Sequence, residues 1–221
     1  MWLQRFIEQR CMRAGTAMLV VACSVVLSAC ASGPKPAKQA GQAQRGTNES
    51  GIVREVPPKA QTLYEQAVSA MAAGNALDAE LRFKEFLLQY PDYPGAHVNI
   101  AIIYARQGND KAVENSLTDA LILDPQHPAA LNQLGMLLRR QGRFMDAEAA
   151  YMKAVTADPE YALAHYNLGV LNELYLQRLD LALQHFERYQ ELGGDDEQVT
   201  KWIADLKRRL GNAQRTANVT E

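Results

Sequence analysis

Residues 127–159 read HPAALNQLGMLLRRQGRFMDAEAAYMKAVTADP, and this stretch decides the fold. Leu131, Leu134 and Leu138 recur at i, i+3 and i+7, which is the spacing of one apolar helix face. Gly142 follows that helix where the chain must leave it, a position that favours positive φ. Pro159, the last residue of the stretch, cannot continue the second helix. The stretch therefore predicts two helices joined by a tight turn.

The same unit recurs along the chain. Tyr90-Pro91, Asp124-Pro125 and Asp158-Pro159 are spaced at intervals of 34 residues. Gly135 and Ala147 are small, so the two helices of the unit can approach closely. A fixed period of this length is the signature of a stacked array of helix pairs.

These positions resemble the tetratricopeptide repeat. The resemblance implies an all-α solenoid over residues 60–211, with about four helix-turn-helix repeats at about 60–93, 94–127, 128–161 and 162–194. The fourth repeat departs from the pattern, because Gly169 and Ala182 are 13 residues apart whereas Gly135 and Ala147 are 12 apart. The segment LYLQRLD replaces the usual glycine turn in that repeat.

A further helix is predicted after the repeats, over residues 195–211. Its apolar stripe is Val199, Ile203, Leu206 and Leu210, with Asp195 as a possible cap and Gly211 as a possible end. It is expected to cover the last repeat, as terminal elements of such arrays do. Residues 212–221 are expected to be disordered.

The opening 29 residues have the pattern of a secretory signal peptide. Arginines precede an uncharged apolar run over residues 14–29, which is shorter than the roughly 20 residues that span a bilayer. Leu27-Ser28-Ala29-Cys30 ends that run and resembles a bacterial lipobox, whereas an uncleaved anchor or a buried helix would not need it. The resemblance implies cleavage before Cys30, acylation of its sulfur, and loss of Cys11 and Cys23 with the signal. Either Met1 or Met12 could be the start.

The lipobox resemblance also implies to which membrane the protein is sorted. Ala31 follows the cysteine, where an aspartate would retain many lipoproteins at the inner membrane. We therefore expect the periplasmic face of the outer membrane of a Gram-negative bacterium. Residues 30–59 would be the lipidated cysteine and a flexible tether, rich in Gly, Pro, Ala, Gln and Lys, with a coil dimension of about 30 Å.

Composition excludes several functional classes. The net charge of −2, from 23 basic and 25 acidic residues, gives no general reason to expect nucleic acid. All cysteines lie within the first thirty residues, so none remains for a later disulfide or thiolate metal site. No nucleophile, phosphate-loop or zinc motif is recognisable. We expect neither an enzyme nor a resident metal, cofactor or small-molecule substrate.

What remains is a protein-binding surface. In the repeat family the first helix of each repeat lines a concave groove, which here would carry Tyr64, Val68, Asn99, Ile102, Arg106, Met136, Arg139, Arg140, Tyr166, Asn167 and Val170. Asn99 and Asn167 could pair with a peptide backbone or be family consensus. The arginines could read acidic side chains or simply be solvated. Tyr64 and Val68 replace the Lys and Asn of the family's carboxylate clamp, which argues against that mode.

The sequence thus predicts a membrane-anchored adaptor that binds protein partners in its groove. Similar bacterial lipoproteins act in pilus and secretion-complex assembly, which is the first hypothesis. An adaptor for peptidoglycan hydrolases or synthases and a self-assembling structural lipoprotein are the alternatives.

Overall fold

The structure is a computed structural model that describes residues 57–219, and side chains there except those of 214 and 216–219. The predicted signal peptide, Cys30 and most of the tether lie outside the described residues. Within residues 57–219 the chain forms only helices: α1 (Pro58–Ala72), α2 (Ala76–Gln89), α3 (Pro94–Arg106), α4 (Asp110–Leu123), α5 (Pro128–Arg140), α6 (Phe144–Ala157), α7 (Ala162–Leu174), α8 (Leu179–Glu191) and α9 (Glu197–Val219). The predicted all-α repeat fold is confirmed.

Helices α1 to α8 form four pairs, each joined by a short turn, and each pair packs on the next. The first helices α3, α5 and α7 also contact one another in series. Proline occupies the first turn of α1, α3 and α5, where its missing N–H costs nothing. Local sequence therefore sets where several repeats begin.

Close packing within the third and fourth pairs depends on a missing side chain. A Cβ on Gly135 would lie 2.5 Å from the ring of Tyr151, and one on Gly169 would lie 2.5 Å from the ring of Phe186. Both aromatic side chains are completely buried. Because protein interiors are close-packed, these two contacts fix the distance between the helices of each pair.

The turns are of two kinds. Gly74, Gly108 and Gly142 end the first helices of the first three pairs with φ between 72° and 80°. In the fourth pair Gln177 takes the left-handed conformation instead, with φ 55°. Its side-chain amide donates to the carbonyl oxygens of Glu173 and Leu174 at 3.0 and 3.4 Å, and so caps the end of α7.

The last helix differs from its prediction at both ends. It begins at Glu197, and Asp196 rather than Asp195 caps it, through an Oδ1 that accepts from the Gln198 N–H at 2.8 Å. Gly211 does not end the helix, and residues 212–219, expected to be disordered, are helical. No proline follows Gly211, and a single helical glycine costs only about 1 kcal/mol.

Helix α9 covers the apolar face of the fourth repeat. Val199, Ile203 and Leu206 are buried against Phe186 and Tyr189 of α8. The Trp202 ring lies 5.4 Å from that of Phe186. Among the described residues no helix is both long and apolar enough to cross a bilayer.

Candidate protein-binding groove

The six apolar residues predicted for the wall of the groove are all half-buried in the structure. Each side chain packs in part on the core and leaves the rest of its surface exposed; they are Tyr64, Val68, Ile102, Met136, Tyr166 and Val170. An interface of this kind needs little reorganisation, because its apolar groups are already positioned by the core.

Asn99 is not a free groove amide. Its Nδ2 donates to the Tyr64 hydroxyl oxygen at 2.7 Å, which joins the first helices of repeats one and two. The Tyr64 ring also contacts Phe83 and Phe86, with 5.5 Å between ring centroids in each case. Burial raises the pKa of Tyr64 to about 12, and the hydrogen bond from Asn99 opposes that rise. The pair is structural in this state.

Asn167 has the same kind of role between repeats three and four. Its Nδ2 donates to Oδ1 of Asn132 at 2.9 Å, and both side chains are at most 6% exposed. Sequence reasoning missed Asn132, although the spacing held a signal. Asn132 and Asn167 are 35 residues apart, as are Tyr64 and Asn99. At the middle junction the corresponding residue is Val98, which is buried and apolar.

The predicted arginines separate into two groups. Arg106 is exposed at the end of α3 and does not line the cleft formed by the other two. Arg139 and Arg140 line a cleft of about 280 Å³ together with Met136 and Tyr175. We call these four residues the arginine cleft. Tyr175, just after α7, was not predicted, because it lies in the irregular segment that replaces the fourth glycine turn.

His165 and His185 lie close together in the fourth repeat. His165 is 9% exposed, its Nε2 lies 3.2 Å from the Pro159 carbonyl oxygen, and its Nδ1 lies 3.2 Å from Nδ1 of His185. Burial lowers the pKa of both imidazoles, that of His185 to about 4, where the neighbouring His165 also contributes. This pair, which sequence reasoning did not find, is held neutral at pH 7.

No group of three His, Cys, Asp or Glu side chains in residues 57–219 could hold a metal ion. Tyr151 Oη, His127 Nε2 and Asn172 Oδ1 are buried polar atoms without a hydrogen-bond partner there. The arrangement offers an apolar wall and a local cationic cleft, which suit recognition of another chain.

Comparisons with known proteins agree with this geometry. The family model described as tetratricopeptide repeat matches residues 64–128 and 132–197. No curated protein sequence matches the chain.

Several solved structures share the fold. A structure of PilF from Pseudomonas aeruginosa is 22% identical, with 69% of each chain covered and a TM-score of 0.62. The repeat protein TTC0263 from Thermus thermophilus is 22% identical over 68% of this chain and 82% of its own, with a TM-score of 0.58. The first repeat domain of Spaghetti (RPAP3), bound to the HSP90 peptide SRMEEVD, is 22% identical over 53% and 95%, with a TM-score of 0.50. At these identities the likeness concerns the fold alone.

Proposed function

The chain belongs to the tetratricopeptide-repeat family, a fold of protein-interaction scaffolds, and we propose that it is a lipid-anchored periplasmic adaptor that assists assembly of a pilus or secretion complex. The observation that carries the proposal is the joint presence of a lipobox-like Leu27-Ser28-Ala29-Cys30 and a repeat array in one chain. Such a protein holds a partner near a membrane without having to insert into it.

The anchor is argued from the sequence before the repeats. Acylation of Cys30 would attach up to three acyl chains, and two already give stable membrane binding. With Ala31 rather than aspartate after the cysteine, the outer membrane is the proposed destination. The predicted tether, residues 30–59 less the start of α1 at Pro58, would then let the repeats reach partners within about 30 Å of the bilayer.

The repeats supply the binding surface. The half-buried wall from Tyr64 to Val170 and the arginine cleft lie on or beside the first helices of the pairs. The Asn132–Asn167 and Tyr64–Asn99 bonds hold those helices in register. The fold likeness to PilF favours pilus assembly as the pathway.

The anchor is tested by metabolic labelling of the full chain with an alkyne analogue of palmitate. We expect Cys30→Ser to lose the label and to leave the outer-membrane fraction. Cys23→Ser is the matched control, because that residue lies in the same apolar run and should leave both properties unchanged. Equal labelling of the two variants would contradict the lipoprotein assignment.

The pathway is tested in a deletion strain, complemented with the wild-type or the Cys30→Ser chain. We expect loss of heat-stable secretin multimers and of surface pili, restored only by the wild-type chain. Normal multimers and pili in the deletion strain would reject this function.

Crosslinked capture of a peptidoglycan hydrolase or synthase would favour the cell-wall alternative, and capture of the protein alone would favour self-assembly.

A further inference from the structure

The arginine cleft lies where the end of α5 meets the end of α7. Met136, Arg139 and Arg140 belong to the last part of α5, and Tyr175 caps α7. The volume of the cleft, about 280 Å³, is just below the usual range for ligand pockets. That size suits one or two side chains of a peptide rather than a cofactor.

The cleft keeps one uncompensated positive charge. Arg140 is paired with Asp110 of α4, with 2.5 Å between Nη2 and Oδ1. Within residues 57–219, Arg139 makes no ion pair with a carboxylate and remains partly exposed. Favourable placement at a helix C-terminus explains a basic residue there. It does not explain why the unpaired guanidinium shares a cleft with an exposed aromatic ring.

The aromatic side of the cleft is specific to the fourth repeat. Tyr175 is 44% exposed and its ring lies 4.6 Å from that of Phe144, at an interplanar angle of 32°. It lies two residues before Gln177, the residue that takes the left-handed turn in place of glycine. The irregular turn thus places an aromatic surface in the same cleft as Arg139.

Arg139 and Tyr175 also influence a buried hydroxyl electrostatically. Tyr151 is completely buried, and its Oη has no hydrogen-bond partner among the described residues. Burial raises the pKa of Tyr151 to about 12, while Arg139 lowers it and Tyr175 raises it. Because the hydroxyl has no exposed surface, a ligand in the cleft does not contact it in this state, and Tyr151 serves as a buried control for the cleft residues.

We infer that the arginine cleft binds an acidic segment of the partner protein, in which a carboxylate pairs with Arg139 and an adjacent aromatic side chain packs on Tyr175 and Met136. Guanidinium–carboxylate pairs are strong when charge-assisted and bidentate, and the aromatic contact adds apolar area. This inference rests on the proposed adaptor function, for which it names the chemistry of the partner. The site differs from the family's carboxylate clamp, whose Lys and Asn positions are here Tyr64 and Val68.

The test measures fluorescence anisotropy of labelled peptides with the full-length protein in mild detergent. The probe is Gly-Ser-Glu-Asp-Phe-Ser-Gly, and its amide twin replaces Glu-Asp by Gln-Asn. We expect the acidic peptide to bind at least about tenfold more tightly than its twin, and to weaken as salt rises. Arg139→Gln should remove that difference. Arg106→Gln is the matched control, because it removes an exposed arginine from the same helix position as Arg140 one repeat earlier.

Two further variants keep the result independent of folding. Tyr175→Leu should weaken binding of the Phe-containing peptide, whereas Tyr151→Phe, which removes only a buried hydroxyl, should leave the peptide affinity unchanged. Unchanged melting temperatures in all four variants would show that the repeats are intact. Equal binding of the acidic and amide peptides, or wild-type affinity in Arg139→Gln, would overturn the inference.

The two proposals fail in different ways. If Arg139 governs peptide binding while the deletion strain assembles pili normally, the cleft stands and the pathway is rejected. If the deletion blocks secretin assembly while Arg139→Gln restores it fully and binds the acidic peptide like wild type, the adaptor stands and the cleft is rejected.

Discussion

The third and fourth repeats show the same packing with different turns. In both, a glycine of the first helix meets an aromatic ring of the second, Gly135 with Tyr151 and Gly169 with Phe186, and a Cβ would lie 2.5 Å from the ring in each. In the third repeat Gly142 makes the turn, whereas the fourth uses Gln177 and one extra residue. Between these two repeats the helix contact, rather than the turn, is the part that stays the same.

The difference has a physical cause. A turn on the surface needs only a backbone that reverses direction, and a glutamine can provide it when its own amide satisfies the carbonyls at the helix end. A helix contact in the core has no such freedom, because any added atom must displace a packed ring. The irregular turn also gives the fourth repeat an exposed Tyr175, and with it the arginine cleft.

The largest expected effect comes from filling the helix contacts. Gly135→Ala and Gly169→Ala should each lower the free energy of unfolding by about 2–3 kcal/mol, because the new methyl overlaps a buried ring. Urea denaturation followed by circular dichroism measures this. Gly211→Ala is the matched control: it lies within α9 with no atom near its Cβ and should stabilise by about 0.5–1 kcal/mol. Equal changes in the free energy of unfolding at all three glycines would show that the close helix contact is not what stabilises the third and fourth repeats.

The second-largest loss of stability is expected from removing the hydrogen bond between the third and fourth repeats. Asn167→Ala should cost about 1–3 kcal/mol, because it leaves the buried Asn132 Oδ1 without its donor. Asn99→Ala should cost less, since the Tyr64 hydroxyl is only partly buried and can turn to water. The same denaturation experiment ranks the two. A larger loss of stability for Asn99→Ala would mean that the hydrogen bond between repeats three and four contributes less than the one between repeats one and two.

Turn substitutions should have intermediate effects. Gly142→Ala places a Cβ at φ 76° and should cost about 1–2 kcal/mol, although no atom lies near it. Gln177→Gly should change stability by less than about 1 kcal/mol, because relief of the left-handed strain offsets the lost side-chain hydrogen bonds. Thermal melts of the two variants compare the turns directly. A strongly destabilised Gln177→Gly would show that the glutamine is essential for the fourth repeat.

Acidity should affect the fourth repeat more than the third. The pKa values of His165 and His185 are lowered in the fold, that of His185 to about 4, against about 6.5 when unfolded. The unfolded chain therefore binds more protons below pH 6.5, so stability is complete above that pH and falls as pH drops towards 4. Because His185 is only partly buried, solvent screens part of this effect, and we expect a loss of about 1 kcal/mol.

The third repeat supplies the control for this pH effect. It has Leu131 and Ala150 where the fourth has the histidine pair, so His165→Leu with His185→Ala removes the titrating groups by copying the neighbouring repeat. Urea denaturation at about pH 7 and about pH 4.5, on either side of the unfolded histidine pKa, should show a smaller acid loss in this double variant. An identical loss would place the titration elsewhere, for example at His97 or His127, whose pKa values burial also lowers.

Part of the candidate site could be predicted from sequence and part could not. Met136, Arg139 and Arg140 were found because one helix fixes which side chains share a face. Tyr175 was missed, since an irregular turn has no periodicity from which to infer direction. The sequence left Asn99 and Asn167 open between peptide binding and family consensus. Their hydrogen bonds to Tyr64 and Asn132 in the neighbouring repeats show that both side chains join helices.

By itself the sequence determined the helix pairs, their number and their order, because helix periodicity, glycine turns and proline starts are local signals that repeat every 34 residues. Only the tertiary structure decided which polar groups meet across repeats, that α9 continues to Val219, and that an unpaired arginine shares a cleft with an aromatic ring. The bonds of Arg140 with Asp110 and of Asn167 with Asn132 join residues 30 and 35 apart in sequence, and such contacts are selected by packing rather than by local propensity.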